Sequence, residues 1–150
     1  LMGLRVSDAM DEDPPTIPAE MKLSVLSDLL AKKDRRLSRR QGTLIVNDEG
    51  LLAGIITRGD VLKGIDEFSD LKLSVLDAGS RNLIVTYPDE ILYEAIDKMV
   101  RNDIGRLPVV SRENSRVVVG YLGRASVMTA RLHRMKEEHE REPGWLQGLA

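Results

Sequence analysis

The chain has 150 residues and a net charge of -2; 42% of its residues are hydrophobic and 3% are aromatic. This length allows one domain or two small halves with a mainly aliphatic core, and the charge argues against general nucleic-acid binding. The chain has no cysteine and no apolar run near the ~18 residues of a membrane helix, which excludes disulfide and thiolate chemistry and fits a reducing, cytoplasmic compartment.

The first part of the chain combines short extended pieces with one helix. Residues 5–10 predict a short amphipathic turn, and the acidic run 11–15 ends in two prolines and predicts a loop. Residues 16–18 predict a minimal extended piece. Leucines at helical spacing predict a helix over residues 22–33.

A basic stretch follows this helix, with six basic side chains in residues 32–40. It is either a solvated helix end or a contact for an acidic partner or lipid headgroups. A nucleic-acid contact would use Arg35, Arg36, Arg39 and Arg40, but the net charge and the scarcity of aromatic residues weigh against it.

The next stretch, residues 43–62, predicts a hairpin that leads directly into a helix. Two β-branched apolar runs flank a polar turn that ends in Gly50, and the helix begins near Gly59. Thr57, Arg58 and Asp60 therefore leave the sheet together at a helix start, which suits an anion, with a carboxylate placed for sugar hydroxyls. The simpler alternative is that Thr57 or Asp60 only caps the helix.

The same pattern begins again at Leu73, at an offset of roughly 64 to 70 residues, which indicates an internal repeat. Residues 86–88 match residues 16–18, and Gly123 to Ser126 stand where Thr57 to Asp60 stood. The other predicted elements are a strand at 83–85, a helix at 90–100 and strands at 107–110 and 117–122. One copy is too small to bury its sheet well. We expect an α+β fold of two β-α-β-β-α repeats, packed sheet to sheet with pseudo-twofold symmetry and with clefts between the halves.

These repeats resemble a tandem pair of CBS domains, also called a Bateman module, over residues 4 to 130. The resemblance rests on Val6, Asp8 and Met10, on the G-I-I-T-R-G-D run at 54–60 and on its partial copy at 120–124. It implies a first repeat at 4–68, a second repeat at 73–130, and a charged helix and tail at 131–150.

The resemblance implies a regulatory module, not an enzyme, that binds AMP, ADP or ATP as a regulatory ligand between its repeats. In the family the aspartate holds the ribose, and the hydroxyl and basic groups hold phosphate. Carried over by position, the first cleft would use Thr57, Arg58, Asp60, Ser80, Asn82, Ile84, Ile104, Gly105 and Arg106. A weaker second cleft would use Asp13, Thr16, Gln41, Gly42, Arg124 and Ser126. The second cleft is weaker because Gly123 replaces the hydroxyl residue and Ser126 replaces the aspartate.

The resemblance also implies partners. We expect a homodimer through apolar faces of residues 23–30 and 91–100. The charged helix and residues 142–146 resemble the cytosolic tail of chloride-channel-type membrane proteins, which would place the chain at the inner face of a membrane, with the transmembrane helices N-terminal to Leu4. The alternative is a structural dimerisation module with no nucleotide bound.

The remaining candidate residues carry weaker signals. His133 and Glu137 lie one helical turn apart, but two ligands make a weak metal site, so no metal is predicted. There is no Gly-rich phosphate loop and no nucleophile–base pair, so we predict no catalytic residues. Met128, Leu132 and Met135 form a helical stripe for packing on the same chain, on a dimer mate or on a membrane domain. Trp145 has no assigned role.

Overall fold

The computed structural model of the chain describes residues 3–33, 37, 42–67 and 72–141, with side chains described as far as residue 138. The described residues form two three-stranded sheets that are flanked by helices. The elements of the first half are α1 (Val6–Ala9), β1 (Asp11–Glu12), β2 (Thr16–Pro18), α2 (Leu23–Ala31), β3 (Gly42–Val46), β4 (Leu52–Thr57) and α3 (Arg58–Glu67). Those of the second half are α4 (Val75–Ala78), α5 (Leu92–Arg101), β5 (Arg106–Val110), β6 (Val118–Gly123) and α6 (Arg124–Arg141).

The predicted hairpin and helix start at residues 43–62 are confirmed. Strand β3 pairs antiparallel with β4, and α3 follows β4 without a loop. The Asn47 side chain closes the turn by accepting hydrogen bonds from the backbone N–H of Glu49 at 2.9 Å and of Leu51 at 3.0 Å. Gly50 has a φ of 77°, a left-handed conformation that glycine adopts without steric cost. The turn therefore fixes where the strand that leads into α3 begins.

The two hairpins share the same geometry, which confirms the internal repeat. Thr43 faces Ile56 in the first hairpin, and Leu107 faces Leu122 in the second. A register irregularity follows Ile45 in β3 and follows Val109 at the equivalent place in β5. The residues of each hairpin can therefore be compared one by one, at an offset of 64 between β3 and β5 and of 66 between β4 and β6.

The predicted strand at 83–85 is wrong, since pairing there is reduced to a single parallel bridge between Thr86 and Val109. Thr86 donates to the Pro108 carbonyl and accepts from the Val110 N–H, both at 3.0 Å. The next ladder bonds on either side would need N–H groups at Pro108 and Pro88, which proline lacks. Two prolines therefore stop the ladder in both directions.

The predicted match of residues 86–88 with residues 16–18 is shifted by one residue in the structure. Ile17 faces Ile45 in the first sheet, whereas Thr86 faces Val109, the equivalent of Ile45. Thr86 is accordingly completely buried where Ile17 is 3% exposed. The shared Thr and Pro letters aligned the sequences, but the burial pattern sets the structural register.

The short N-terminal segment of each repeat packs on the other repeat. Helix α1 belongs to the core of the second repeat, where Val6 and Ala9 contact the cluster that contains Leu92 and Leu122. Helix α4 belongs to the core of the first, where Val75 packs with Leu23. Residues 11–15, predicted as a loop, begin with strand β1, because this exchange brings Asp11 and Glu12 against the edge of β6.

A third apolar cluster joins the two sheets, which confirms the expected sheet-to-sheet packing. Its buried members come from both hairpins: Leu44, Leu52, Val110 and Tyr121. Arg116 strengthens the junction, since its backbone carbonyl accepts from the Leu52 N–H at 2.7 Å. The inner faces of the sheets are therefore buried, and the strand-to-helix corners lie at the rims of this interface.

The helix faces expected to be apolar and exposed are only partly so. In α2, Leu23 and Leu26 are at most 1% exposed, because they face the first core, whereas Val25 is 46% exposed. In α5, Tyr93 and Val100 are exposed.

The predicted apolar stripe on α6 is exposed to solvent. Its side chains are about 60% exposed, so they do not pack on the described part of the same chain: Met128, Leu132 and Met135. None of the described helices is long and apolar enough to cross a membrane.

Candidate functional site

The β4–α3 corner is closed by Asp60. One of its carboxylate oxygens, Oδ2, accepts from the Thr57 N–H at 2.9 Å, and Thr57 Oγ1 accepts from the Asp60 N–H at 3.1 Å. This reciprocal pair caps the helix, as the simpler sequence interpretation predicted. Capping uses only one carboxylate oxygen, and the other has no partner among the described residues.

The β6–α6 corner is closed in a similar way by Ser126. Its hydroxyl oxygen accepts from the Gly123 N–H at 3.0 Å, and the hydroxyl donates to the Gly123 carbonyl at 2.9 Å. The cap is therefore kept, but the hydroxyl proton and one lone pair are engaged by the corner itself. Because Gly123 has no side chain, the second bond of the first corner has no counterpart here.

Arginines cross in front of glycines beside both corners. Gly42 lies opposite Thr57 in the first hairpin, and a Cβ placed on Gly42 would lie 2.5 Å from Cδ of Arg106. A Cβ on Gly105 would lie 2.7 Å from Nε of Arg124. A side chain at either glycine would displace an arginine, so the two glycines make room for the cationic groups of the site.

A pocket of about 770 Å³ opens at the β6–α6 corner. Its wall combines the start of α6 with β5, β6 and the exchanged segment α1–β1. The lining residues that carry polar or charged groups are Asp8, Asp11, Arg106, Tyr121, Arg124, Ser126, Thr129 and His133. Arginine and aspartate side chains thus meet in a single concave space, which suits a ligand with an anionic group and neutral hydrogen-bond donors.

The structure distributes the predicted site residues unevenly. Of the second-cleft residues, Arg124 and Ser126 line the pocket. Asp13, Thr16 and Gly42 are absent from its wall, and Gln41 lies outside the described residues. Gly105 and Arg106, which the resemblance assigned to the first cleft, also line the pocket, so Arg106 lies between the two corners.

The other first-cleft residues lie around the edge of the first sheet and the second core. Ser80 continues the first sheet through reciprocal backbone bonds with Ile55, and its hydroxyl accepts from the Asn82 N–H at 3.3 Å. Ile84 and Ile104 are half-buried and pack against the core of the second repeat. Arg58 opens helix α3 beside Asp60.

Sequence reasoning missed several residues of the pocket wall. Asp8 and Asp11 reach it only because the N-terminal segment is exchanged, which no local pattern reveals. Thr129 and His133 could have been found, because they lie three and seven residues after Ser126 and so share its helix face.

The segment that carries Asp8 is held firmly on the second repeat. The Val6 N–H donates to the Glu90 carbonyl at 2.9 Å, and Arg5 donates to the Asp89 carbonyl at 3.0 Å. Arg112 binds the Asp89 side chain at 2.8 Å and, chiefly through this hydrogen bond, lowers the pKa of Asp89. Helix α1 is therefore held in a fixed position as part of the pocket wall.

His133 has a local partner in the structure. Its Nε2 lies 3.1 Å from Oε1 of Glu137, and both side chains are exposed. Within the described residues, no three histidine, aspartate or glutamate side chains are grouped closely enough to hold a metal ion.

The exchanged segments, the paired hairpins and the capped corners at the inter-sheet rim define a two-repeat α+β module with a concave site. The CBS domain family matches residues 6–67 and 75–133, so the chain belongs to the CBS domain family. This confirms the tandem CBS pair and the fold class predicted from the sequence.

Similar proteins support this assignment. AcuB from Vibrio cholerae is 23% identical, with a TM-score of 0.77 over 93% of this chain and 98% of that one. The CBS domain pair of MJ0100, solved with 5′-methylthioadenosine and S-adenosyl-L-methionine, is 26% identical, with a TM-score of 0.70 over 89% and 98% of the chains. Protein MJ1225 of Methanocaldococcus jannaschii is 41% identical over 70 residues, which are 47% of this chain. The match spans only a quarter of MJ1225, at 25% of its length.

Proposed function

We propose that this CBS pair is a regulatory module, not an enzyme, that binds an adenosine nucleotide (AMP, ADP or ATP) between its two repeats. The observation that carries the proposal is the pocket at the start of α6, whose wall includes Arg106 and Arg124. Its volume of about 770 Å³ lies within the range of small-molecule sites. The likeness to MJ0100, a CBS pair solved with adenosine-containing ligands, supports the same ligand class.

The electrostatics of the corner favour a phosphate group. Helix α6 is 18 residues long, so its N-terminus carries a partial positive charge. Arg124 stands at this end of the helix and makes no ion pair with any described residue. A phosphate there would meet both charges without displacing a carboxylate.

The first cleft would bind the ribose better than the second. At Asp60 a carboxylate oxygen remains after capping, whereas the Ser126 hydroxyl is engaged with Gly123 on both its donor and an acceptor side. A hydrogen bond to a charged acceptor is worth about 1.5–3 kcal/mol, more than one to a neutral hydroxyl. We therefore propose two unequal clefts, with Thr57, Arg58 and Asp60 at the better one.

A thermal-shift series with AMP, ADP, ATP and S-adenosylmethionine tests the proposal. A ligand at 100 times its Kd stabilises the folded state by about 2.7 kcal/mol, which raises the Tm of a chain of this size by about 5 °C or more. We expect at least one adenosine nucleotide to produce this shift, and guanosine nucleotides at equal concentration serve as the control. If no adenosine compound raises the Tm at millimolar concentration, the proposal is wrong.

The alternative is a structural dimerisation module with empty clefts, and the loss of the hydroxyl and carboxylate at Gly123 and Ser126 favours it. The thermal-shift series separates the two functions, because a structural module would give no shift with any nucleotide.

The regulated effector belongs to the same proposal. The sequence suggested a chloride-channel-type membrane domain and a location at the inner face of the membrane. Part of that resemblance is carried by residues 142–146, which include Trp145 and lie outside the described residues. Binding of nucleotide would act on such an effector by favouring one arrangement of the two repeats over another.

A further inference from the structure

The pocket at the β6–α6 corner has one wall that comes from outside the second sequence repeat. Helix α1 and strand β1 contribute Asp8, Ala9 and Asp11 to it, because β1 pairs with β6 and α1 enters the second core. The chemistry of the pocket is therefore set partly by the N-terminal segment, which belongs to the first repeat in sequence.

The corner itself lacks the acidic group that its counterpart has. Ser126 occupies the position of Asp60, and its hydroxyl both accepts from and donates to Gly123. A ribose diol has two hydroxyl donors, and this engaged hydroxyl offers at most one spare lone pair to them. Recognition of a diol in this pocket needs another acceptor.

Asp8 is the side chain best placed to be that acceptor. It lines the pocket, and its side chain is exposed to solvent. Its Oδ2 accepts from the Arg5 N–H at 2.8 Å and so closes α1, while its other oxygen has no partner among the described residues. Asp8 thus resembles Asp60, since one carboxylate oxygen caps the helix and the other has no partner among the described residues. Asp11 also lines the pocket, but it is engaged in another interaction.

The cationic groups of the pocket and Asp8 come from different elements of its wall. Arg124 and Arg106 come from the α6 and β5 side, and Asp8 comes from the α1 side. A ligand with an anion at one end and a neutral diol further along could satisfy both sides together, whereas inorganic phosphate would meet only the arginines.

We infer that Asp8 is a specificity-determining residue of this pocket, where it replaces the carboxylate missing at position 126 and binds the ribose hydroxyls of an adenosine nucleotide. The inference rests on the proposed function. It adds that the second cleft binds nucleotide through a residue of the exchanged segment, so that an occupied pocket ties α1 to α6.

The test is hydrogen–deuterium exchange with AMP and 2′-deoxy-AMP, which reads the two corners separately through peptides covering residues 55–62 and 118–133. In the wild-type protein we expect AMP to protect 118–133 at lower concentration than 2′-deoxy-AMP. In Asp8→Asn the AMP concentration for half protection of 118–133 should rise at least tenfold and the preference for AMP should disappear. Residues 55–62 should respond as in the wild type.

Two further variants make the test specific. Asp77→Asn is the matched control, because Asp77 occupies the equivalent place in α4 and lies outside this pocket; it should leave the response of 118–133 unchanged. Ser126→Asp restores a carboxylate at the corner, so it should recover AMP binding in the Asp8→Asn background. A purely structural role of Asp8 would not be rescued from position 126.

The outcomes separate this inference from the proposed function. Unchanged protection of 118–133 in Asp8→Asn, or protection confined to 55–62 in the wild type, would overturn the inference and leave the proposed function intact. Failure of Ser126→Asp to rescue Asp8→Asn would also overturn it. No protection at either corner with any nucleotide would overturn both.

Discussion

At the scale of single residues, the two corners differ in what is left over after the helix has been capped. Asp60 and Ser126 both accept a hydrogen bond from the backbone N–H three residues before them. The carboxylate has a second oxygen and a negative charge, whereas the hydroxyl is neutral and donates its hydrogen bond to the Gly123 carbonyl. The same structural role therefore leaves one corner with an unused carboxylate oxygen and the other with at most one spare lone pair on a hydroxyl.

Replacing Asp60 by alanine should weaken adenosine-nucleotide binding at least tenfold, whereas Ser126→Ala should change it little. The tenfold change corresponds to about 1.4 kcal/mol, which is less than a single charge-assisted hydrogen bond can supply. Isothermal titration calorimetry on both variants measures the difference. Each variant also loses a cap, worth about 1 kcal/mol, so the comparison of the two controls for lost stability. Equal weakening in both, or unchanged binding in Asp60→Ala, would show that the first cleft is not the better site.

At the scale of elements, the exchanged segments are fitted closely to the strands that receive them. Gly54 in β4 lies under the start of the second repeat, where a Cβ would be 2.8 Å from the Ser80 carbonyl oxygen and 2.9 Å from a Leu76 methyl group. Gly79 is equally confined, with the Ile55 carbonyl oxygen at 2.6 Å from its Cβ position. Each of these close contacts involves a backbone oxygen, which cannot move far to make room for a Cβ. Glycine at these two positions therefore allows the segments to pack together.

Gly54→Ala should therefore destabilise the protein by about 1–3 kcal/mol, the usual cost of overpacking a core. Gly59→Ala is the matched control, because its Cβ would meet only Thr57 Oγ1 at 3.6 Å and it lies within α3. An exposed helical Gly→Ala change gains up to about 1 kcal/mol. Urea unfolding should thus move the two midpoints in opposite directions. A Gly54→Ala midpoint equal to that of the wild type would mean that the segment does not pack as described.

The elements also show which parts of the fold can be predicted from local sequence. The hairpins and helices follow from periodicity and turn residues, which act over a few positions, and the repeat fixes their order twice. The destination of α1 and α4 was not predicted, because a four-residue helix with two apolar side chains fits either core. The prediction of a strand at 83–85 was wrong because Pro108, which is distant in sequence, has no N–H group to extend the pairing.

The residues of the candidate site likewise fall into two groups, those that local sequence can predict and those that long-range contacts place. The sequence placed Thr57, Asp60, Arg124 and Ser126 correctly at the corners, because each stands where a strand runs directly into a helix; their role in binding stays a prediction. Asp8 was quoted for the family motif but not for the site, because only the exchange brings it to the pocket wall. Long-range pairing decides such placements, and periodicity contains no information about it.

At the scale of the whole molecule, the helices leave apolar side chains in solvent. In α2, α3 and α5 they are Val25, Leu62, Tyr93 and Val100, with exposures between 46% and 72%. Exposed apolar side chains of this size favour burial against a second copy. We predict a homodimer, which multi-angle light scattering should detect at about twice the 16.7 kDa mass of the chain.

Tyr93→Glu and Val100→Glu should each shift the dimer toward the monomer, because a charge buried at the interface is costly. Val117→Glu is the control, since Val117 is exposed in the loop before β6 and not on a helix. A monomer at high micromolar concentration in the wild type would contradict the prediction, as would equal loss of dimer from all three variants.

The central claim is that an adenosine nucleotide binds between the two repeats, so residues from both must respond to it together. Titration of AMP into the ¹⁵N-labelled protein, followed by ¹H–¹⁵N correlation spectra, tests this most directly. We predict concerted, saturable shifts at residues 57–60 and at the facing residues 104–106, with a second set at 123–126 and around Asp8. The absence of saturable shifts at millimolar AMP, or shifts confined to surfaces away from both corners, would contradict the account.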